Sequence, residues 1–289
     1  MRPMASNPLV AYTIDHNGLR LDLAVVELCS LRVHEETIQG HVEELKRGLM
    51  ERGSLTTPMF VDRATNIVLD GMHRVRTLRE LGCRFALVCL VDYSDPRVKL
   101  GRWCRTISKP FGRLYAERIV GSVGASLKLA NGVNPAQSSD LLLAFGDGTF
   151  LVESPEKELM PVYRLSQRLE RALIEGGYAV GHMGEDDATR YLATGEFAAI
   201  LCPPVITKEQ VVEVVKRGDV FPPKSTRHRI PARPIGVGLT LDILMGDEKT
   251  LEEVNQRLSK QLKSSRLRRL PPGSVYRGRR FEDTLYVFE

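Results

Sequence analysis

Apolar and polar positions follow two rhythms along this chain, and the place where one yields to the other is the most informative. Ile67, Val68 and Leu69 form an unbroken apolar run of strand type. Beyond it Val75, Leu78 and Leu81 recur at the spacing of one helix face, and Gly82 is placed to end that helix. Asp70-Gly71-Met72-His73-Arg74 lies between them, so the pattern predicts a strand, a sharp turn and a helix over residues 67–82.

The same reading extends in both directions. Residues 1–20 are weakly patterned and read as a loose arm or an added strand, and 24–28 as a strand. Ile38, Val42, Leu45 and Leu49 keep a helical period that Gly53 closes. Thr56-Thr57-Pro58 is a loop, 59–62 a short strand and 63–66 a turn. Residues 85–91 are apolar throughout, as in a strand buried on both faces. Residues 98–107, which hold the sole tryptophan, Trp103, read as extended, and 110–129 as partly helical. The polar stretch 131–140 suits a domain boundary. After it come a hairpin (140–145 with 149–153), a helix (156–175), a strand (178–183), a helix (185–194) and a strand (197–202). Thr207 with Gln210 three residues on forms a capping box for a helix over 207–217. Residues 221–234 read as irregular, 235–244 as a strand, 250–263 as a helix, and 275–277 with 284–288 as a last hairpin. Such alternation predicts an α/β (α+β) protein of two domains, 1–130 and 131–289.

Composition narrows the function classes. With 289 residues, 43% hydrophobic and 27% charged, the chain can bury a substantial core. A net charge of +5 suits an anionic ligand such as a nucleotide and permits nucleic acid without demanding it. The five cysteines (Cys29, Cys83, Cys89, Cys104, Cys202) contain no CxxC pair, so neither a zinc site nor a disulfide framework is read. Met1 to Ser6 carries no apolar signal core, and no apolar run reaches transmembrane length, which makes the cytoplasm the expected location.

Three stretches can carry chemistry. The first is the turn itself. A helix start has unpartnered N–H groups and partial positive charge, and His73 and Arg74 add donors there. Arg74, Arg76 and Arg79 all oppose the helix dipole, which favours a bound phosphate over a plain connection. The second is Glu35, beside His34 and Glu36 in a strand-to-helix loop, where a carboxylate can accept a proton from an attacking hydroxyl. On position alone it reads more simply as an acid favouring a helix start. The third is Pro222-Pro223-Lys224-Ser225-Thr226-Arg227-His228-Arg229, whose cations and hydroxyls can wrap an anion; alone it reads as a solvated basic loop. Lys224-Ser225 looks like the end of a P-loop but lacks the preceding glycine-rich run. Trp103, between Arg102 and Arg105, suits a partly exposed wall, although a lone tryptophan is more commonly core.

Together these pieces resemble the free L-serine kinases of archaea and of siderophore gene clusters, which share the ParB/sulfiredoxin fold. The resemblance rests on Val33-His34-Glu35-Glu36, Leu69-Asp70-Gly71-Met72-His73-Arg74, Val91-Asp92-Tyr93-Ser94-Asp95, the Trp103 segment, and the run from Val214 to His228. The Asp-Gly-x-His-Arg piece belongs to the whole superfold; the last piece is peculiar to the kinases. It spans about residues 22–245 and leaves 1–20 and an extension at 246–289 outside. It implies a ParB/sulfiredoxin-like nucleotide-binding domain with a second α/β domain, and phosphorylation of free L-serine to O-phospho-L-serine from ADP or ATP with Mg²⁺. It makes Glu35 the general base. It gives the nucleotide to Thr57, Asp70, Gly71, Met72, His73, Arg74, Lys224 and Thr226, and the serine pocket to Trp103, Arg227 and His228, with Asp70 on Mg²⁺. Met72 departs from the family, which usually has histidine there. The partners implied are L-serine and nucleotide, with no membrane, with nucleic acid not expected and with room for a homodimer.

A ParB-like nucleotide-dependent DNA-binding or regulatory protein is the alternative, but it calls for a helix-turn-helix pair that 111–175 does not show. Sulfiredoxin chemistry needs a cysteine where this chain has Met72.

Overall fold

The computed structural model describes residues 9–130, 132–246 and 250–289, so the readings of the first eight residues, Asn131 and 247–249 lie outside it. Two compact units share the chain. Unit 1 comprises Met1–Lys99, Val212–Gly218 and Arg229–Glu289; unit 2 comprises Leu100–Val211 and Asp219–His228. This division differs from the boundary expected at 130/131. Each unit is built from separated stretches of chain, which local composition cannot register.

Unit 1 holds a five-stranded sheet in the order Tyr12–His16, Leu19–Glu27, Phe85–Val91, Met59–Asp62, Val68–Asp70. The first of these strands falls within the weakly patterned stretch. The second runs longer than predicted because Leu19, Leu21 and Leu23 alternate inward. All seven residues of Phe85–Val91 are buried, and that strand pairs antiparallel with Leu19–Glu27 and parallel with Met59–Asp62. Helix Gln39–Arg52 ends on left-handed Gly53, and helix Met72–Glu80 packs beside it.

Residues 250–289 complete this unit and are no appendage. Thr250 caps helix Leu251–Ser264 through a capping box with Glu253. Strand Thr284–Phe288 pairs parallel with Ala232–Ile235 and antiparallel with Leu267–Leu270. Val275–Tyr276 pairs with Arg279–Arg280, correcting the hairpin expected with 284–288. Residues 235–244 give the end of strand Ala232–Ile235, the two-residue strand Leu239–Thr240 and the short helix Leu241–Met245, since Gly236 and Gly238 take positive φ and break the extended run. The stretch read as irregular contains strands Thr226–Arg229 and Ala232–Ile235; these form by backbone pairing and show no apolar alternation in the first.

Unit 2 is a seven-stranded sheet in the order Val180–Gly184, Lys99–Ile107, Ala199–Cys202, Leu142–Phe145, Gly148–Glu153, Ser126–Leu129, with Thr226–Arg229 also pairing with Lys99–Ile107. Helices Arg113–Ser122 and Leu159–Glu175 cover one face, burying Leu165, Leu169 and Leu173 against Ile107, Leu143 and Leu201. Helix Glu185–Ala193 covers the other, with Ala188 and Leu192 against Cys104, Ile200 and Cys202. The Thr207–Gln210 capping box forms as predicted. Among the described residues no helix is long and apolar enough to cross a membrane.

One buried contact ties the late helix to the central sheet. Asn255 is fully buried; its Oδ1 accepts from Val25 N at 2.8 Å and its Nδ2 donates to Val25 O at 2.9 Å. It thereby satisfies the strand edge beyond the reach of Tyr12–His16, whose pairing ends at Leu23. Asn255→Leu leaves both Val25 groups unpaired and is expected to lower stability by about 2–3 kcal/mol. Urea unfolding with hydrogen exchange across Leu19–Glu27 measures it; unchanged protection there would refute this role.

Candidate active site

In unit 1 the turn at Gly71 is dictated by sterics. Gly71 has φ +113°, and a Cβ there would lie 2.7 Å from Met59 Cγ, so only glycine fits. It gives no side-chain cap to helix Met72–Glu80, whose first-turn N–H groups lie beyond the i→i−4 ladder.

Glu35 is brought to this turn by the chain on either side of it. Arg32 bridges Ile67, and Val68 N donates to Arg32 O at 2.8 Å. His34 is wholly buried and its Nδ1 donates to Val68 O at 2.7 Å. Burial holds the His34 pKa below the usual histidine value, against the opposite pull of Glu35 and the Val68 carbonyl, so its ring is neutral. Farther along, Ile38 N donates to His73 Nε2 at 3.0 Å. Glu35, itself 6% exposed, is thus strapped between the strand that enters the turn and the helix that leaves it.

The arginines of this helix behave differently from the expectation. Arg74 donates to Thr57 O at 2.8 Å and Pro58 O at 2.7 Å and lies 3.4 Å from Asp70 Oδ2. Arg76 pairs with Glu80, and Arg79 donates to Leu31 O. All three have protein partners, so they do not by themselves require an anion. His73 likewise gives one ring nitrogen to Ile38. Asp70, expected on Mg²⁺, has Oδ2 shared between Arg74 and Arg233, the latter at 2.5 Å. That oxygen is already engaged by two guanidinium groups, which makes it a poor Mg²⁺ ligand.

Thr57, Asp70 and Arg74 do line one cavity, of about 270 Å³, joined by Arg233, which sequence reading missed. Leu45, Leu49, Leu55 and Leu78 supply its apolar side. Burial lowers the Arg74 pKa most; Asp70 opposes this, and the positive charges of Arg233 and Arg279 push it lower again. The lining guanidinium groups outnumber its one carboxylate, a balance that suits an anion with an apolar portion.

In unit 2 the sequence-predicted residues gather on Trp103. Lys224 Nζ is 5.2 Å and Arg227 Cζ 5.1 Å from its ring centroid, within cation–π range. Thr226 is buried, while Trp103, Arg227 and His228 are half-buried. Lys224 takes φ +59°, a left-handed turn for a non-glycine residue, and Ser225 Oγ donates to Pro222 O at 2.7 Å. Both features shape a tight loop rather than a loose basic one.

Several proteins similar to this chain in sequence and architecture are named as kinases. No family model matches the chain. The ATP-dependent L-serine kinase of Staphylothermus marinus is 28% identical over 232 residues, covering 76% of this chain and 90% of that protein. The ADP-dependent L-serine kinase SerK of Thermococcus kodakarensis is 26% identical, covering 78% and 94%. A solved free serine kinase in complex with AMP superposes with a TM-score of 0.66 at 25% identity, again over 78% of this chain and 94% of that one. Over most of its length the chain is similar to free L-serine kinases. Its mixed α/β architecture is theirs, as the resemblance implied.

Behind the Trp103 loop lies a support that sequence reading did not find. Arg105, fully buried, donates to the carbonyls of Lys224 at 3.1 Å and Pro223 at 3.3 Å, and its Nε reaches Glu170 Oε2 at 2.8 Å. His182 Nε2 is 2.9 Å from Glu170 Oε1. The only available signal was a charged residue at an inward position of a strand, flanked by a candidate site residue. Burial by itself would raise the Glu170 pKa; the hydrogen bond from His182 and the charge of Arg105 outweigh it, and the carboxyl sits below its ordinary range. A depressed carboxylate contributes stability above its unfolded pKa, about 4.3 for glutamate, and loses it as pH falls through the folded value. Glu170→Gln is therefore expected to flatten the acid side of unit 2 stability. Denaturant unfolding followed by Trp103 fluorescence from pH 7 downward tests this; parallel wild-type and variant profiles would contradict it.

Proposed function

We propose that this protein phosphorylates free L-serine to O-phospho-L-serine, taking the phosphoryl group from ADP or ATP. The observation that carries the reading is Glu35 strapped beside an anion-suited helix start. The names of the relatives supply the acceptor, and those names include both donors.

Phosphoryl transfer needs in-line placement, neutralised phosphate charge and an acceptor for the hydroxyl proton. The N–H groups at Gly71 to Arg74, with the cations of the neighbouring cavity, suit the second task. Met72, with no polar side chain, contributes only its backbone. Glu35 suits the third. The serine Oγ attacks the terminal phosphorus and forms the new O–P bond. The bond to the bridging oxygen breaks, AMP or ADP leaves, and the serine proton passes to Glu35. Mg²⁺, where used, would be held by phosphate oxygens and water rather than by Asp70.

Unit 2 suits the amino acid and the phosphates. Arg227 and His228 have the charge and donors to meet a serine carboxylate or the product phosphate, and Trp103 offers an apolar wall. Lys224 and Thr226 add a cation and a hydroxyl of the kind that suits phosphate.

The decisive assay incubates the protein with Mg²⁺, L-serine and either nucleotide and follows phosphoserine by phosphorus NMR. Glu35→Gln should cut turnover by a factor of about 10²–10⁴, the usual worth of a positioned base, while nucleotide affinity stays near wild type. Undiminished turnover in that variant would remove Glu35 from the chemistry.

A further inference from the structure

The cavity of unit 1 has a wall that the family resemblance does not supply. Besides the residues already described, Arg279 and Phe281 line it. Both lie in 246–289, beyond the stretch that carries the resemblance to the kinases. Their place is fixed by the backbone. Arg277 and Gly278 take φ values of +48° and +76°, as a two-residue hairpin turn requires, and so fold Arg279–Arg280 back on Val275–Tyr276. Phe281 N donates to Ser274 O at 3.0 Å, and Gly273 N to Phe281 O at 2.8 Å. Two residues on, Asp283 accepts from Arg233 Nε at 3.1 Å, and Thr284 N donates to Pro231 O at 3.0 Å. The hairpin is thus pinned to the same arginine that holds Asp70.

Charge gives this wall its meaning. Arg279 makes no ion pair among the described residues; its guanidinium rests 5.0 Å from the Phe281 ring centroid. It also acts as a positive charge upon Arg74 across the cavity. A concave site lined by Arg52, Arg74, Arg233 and Arg279 with the single lining acid Asp70 has a positive balance that favours an anion. The apolar residues opposite, with Phe281, suit the flat, uncharged part of the same ligand. A nucleoside polyphosphate has both parts.

We propose that residues 279–281 form part of the donor-nucleotide site, Arg279 as a cation for the phosphates and Phe281 as a wall for the base. The proposal rests on the kinase reading only for naming the anion a nucleotide.

Equilibrium binding of ADP, ATP and adenosine to the full chain tests it, by calorimetry without serine. Arg279→Ala should weaken ADP and ATP about tenfold, the loss of one charge-assisted contact, and change adenosine less than threefold. It should also flatten the salt dependence of ATP binding, and Arg279→Lys should restore part of both. Phe281→Ala should weaken all three ligands. Far-ultraviolet dichroism and the unfolding midpoint verify the fold, and Arg279 is exposed enough for its removal to leave the core intact. Wild-type affinity for ADP and ATP in the folded Arg279→Ala protein overturns the proposal, as does failure of the wild-type chain to bind either nucleotide. A wild-type chain that binds them but forms no phosphoserine refutes the kinase reading and leaves this wall standing.

Discussion

Asp70 is the point on which unit 1 is tied together. One of its oxygens receives Arg74 from the next helical turn and Arg233 from a strand far along the chain. Each arginine then reaches on: Arg74 to the Thr57 and Pro58 carbonyls, Arg233 to Asp283. Like charges would ordinarily keep these guanidinium groups apart. A shared carboxylate and fixed carbonyl dipoles hold them together, at the cost of leaving positive charge uncompensated toward the cavity. Burial opposes the charge on Arg233, but Asp70 and Asp283 more than offset it and keep the group ionised. Truncating any one partner in such a network leaves a desolvated charge behind, which is worse than losing the contact itself.

This arrangement separates two jobs that sequence reading had merged. The arginines of the Met72–Glu80 helix are builders of the seat, committed to backbone and side-chain oxygens of the protein. Their summed field, together with the positive end of the helix dipole, favours an anion there. In unit 2 the same division recurs. Lys224 and Arg227 lie against Trp103, while Arg105, out of solvent, grips the carbonyls of the loop that carries Lys224. Glu170 and His182 hold Arg105 in turn.

Much of this was legible in the residues. Phe85–Val91 was recognisable because an unbroken apolar run has few other homes, and helix Gln39–Arg52 because Val42 and Leu49 repeat and Gly53 stops them. The turn at Gly71 was legible because strand and helix patterns meet there. Other features were closed to any local reading. Strand Thr226–Arg229 is all polar or charged and exists through its neighbours. Helix Leu241–Met245 falls where a strand was expected because a short apolar run cannot declare its period. The roles of Arg74, Arg105 and Arg233 depend on partners 16 to 163 positions away. The division at Leu100 follows from pairings between distant strands, which leave no composition shift at the crossing.

The order of segments also bears on how the chain is made. Unit 2 has all its residues once His228 has been added, whereas the first ninety-odd residues of unit 1 must still wait for Thr284–Phe288 to enter its smaller sheet and for Asn255 to close the edge of its larger one. On the ribosome, the part begun first is finished last. Until then Val25 lacks the Asn255 amide and the larger sheet lacks helix Leu251–Ser264, so closure of unit 1 depends on its C-terminal segments.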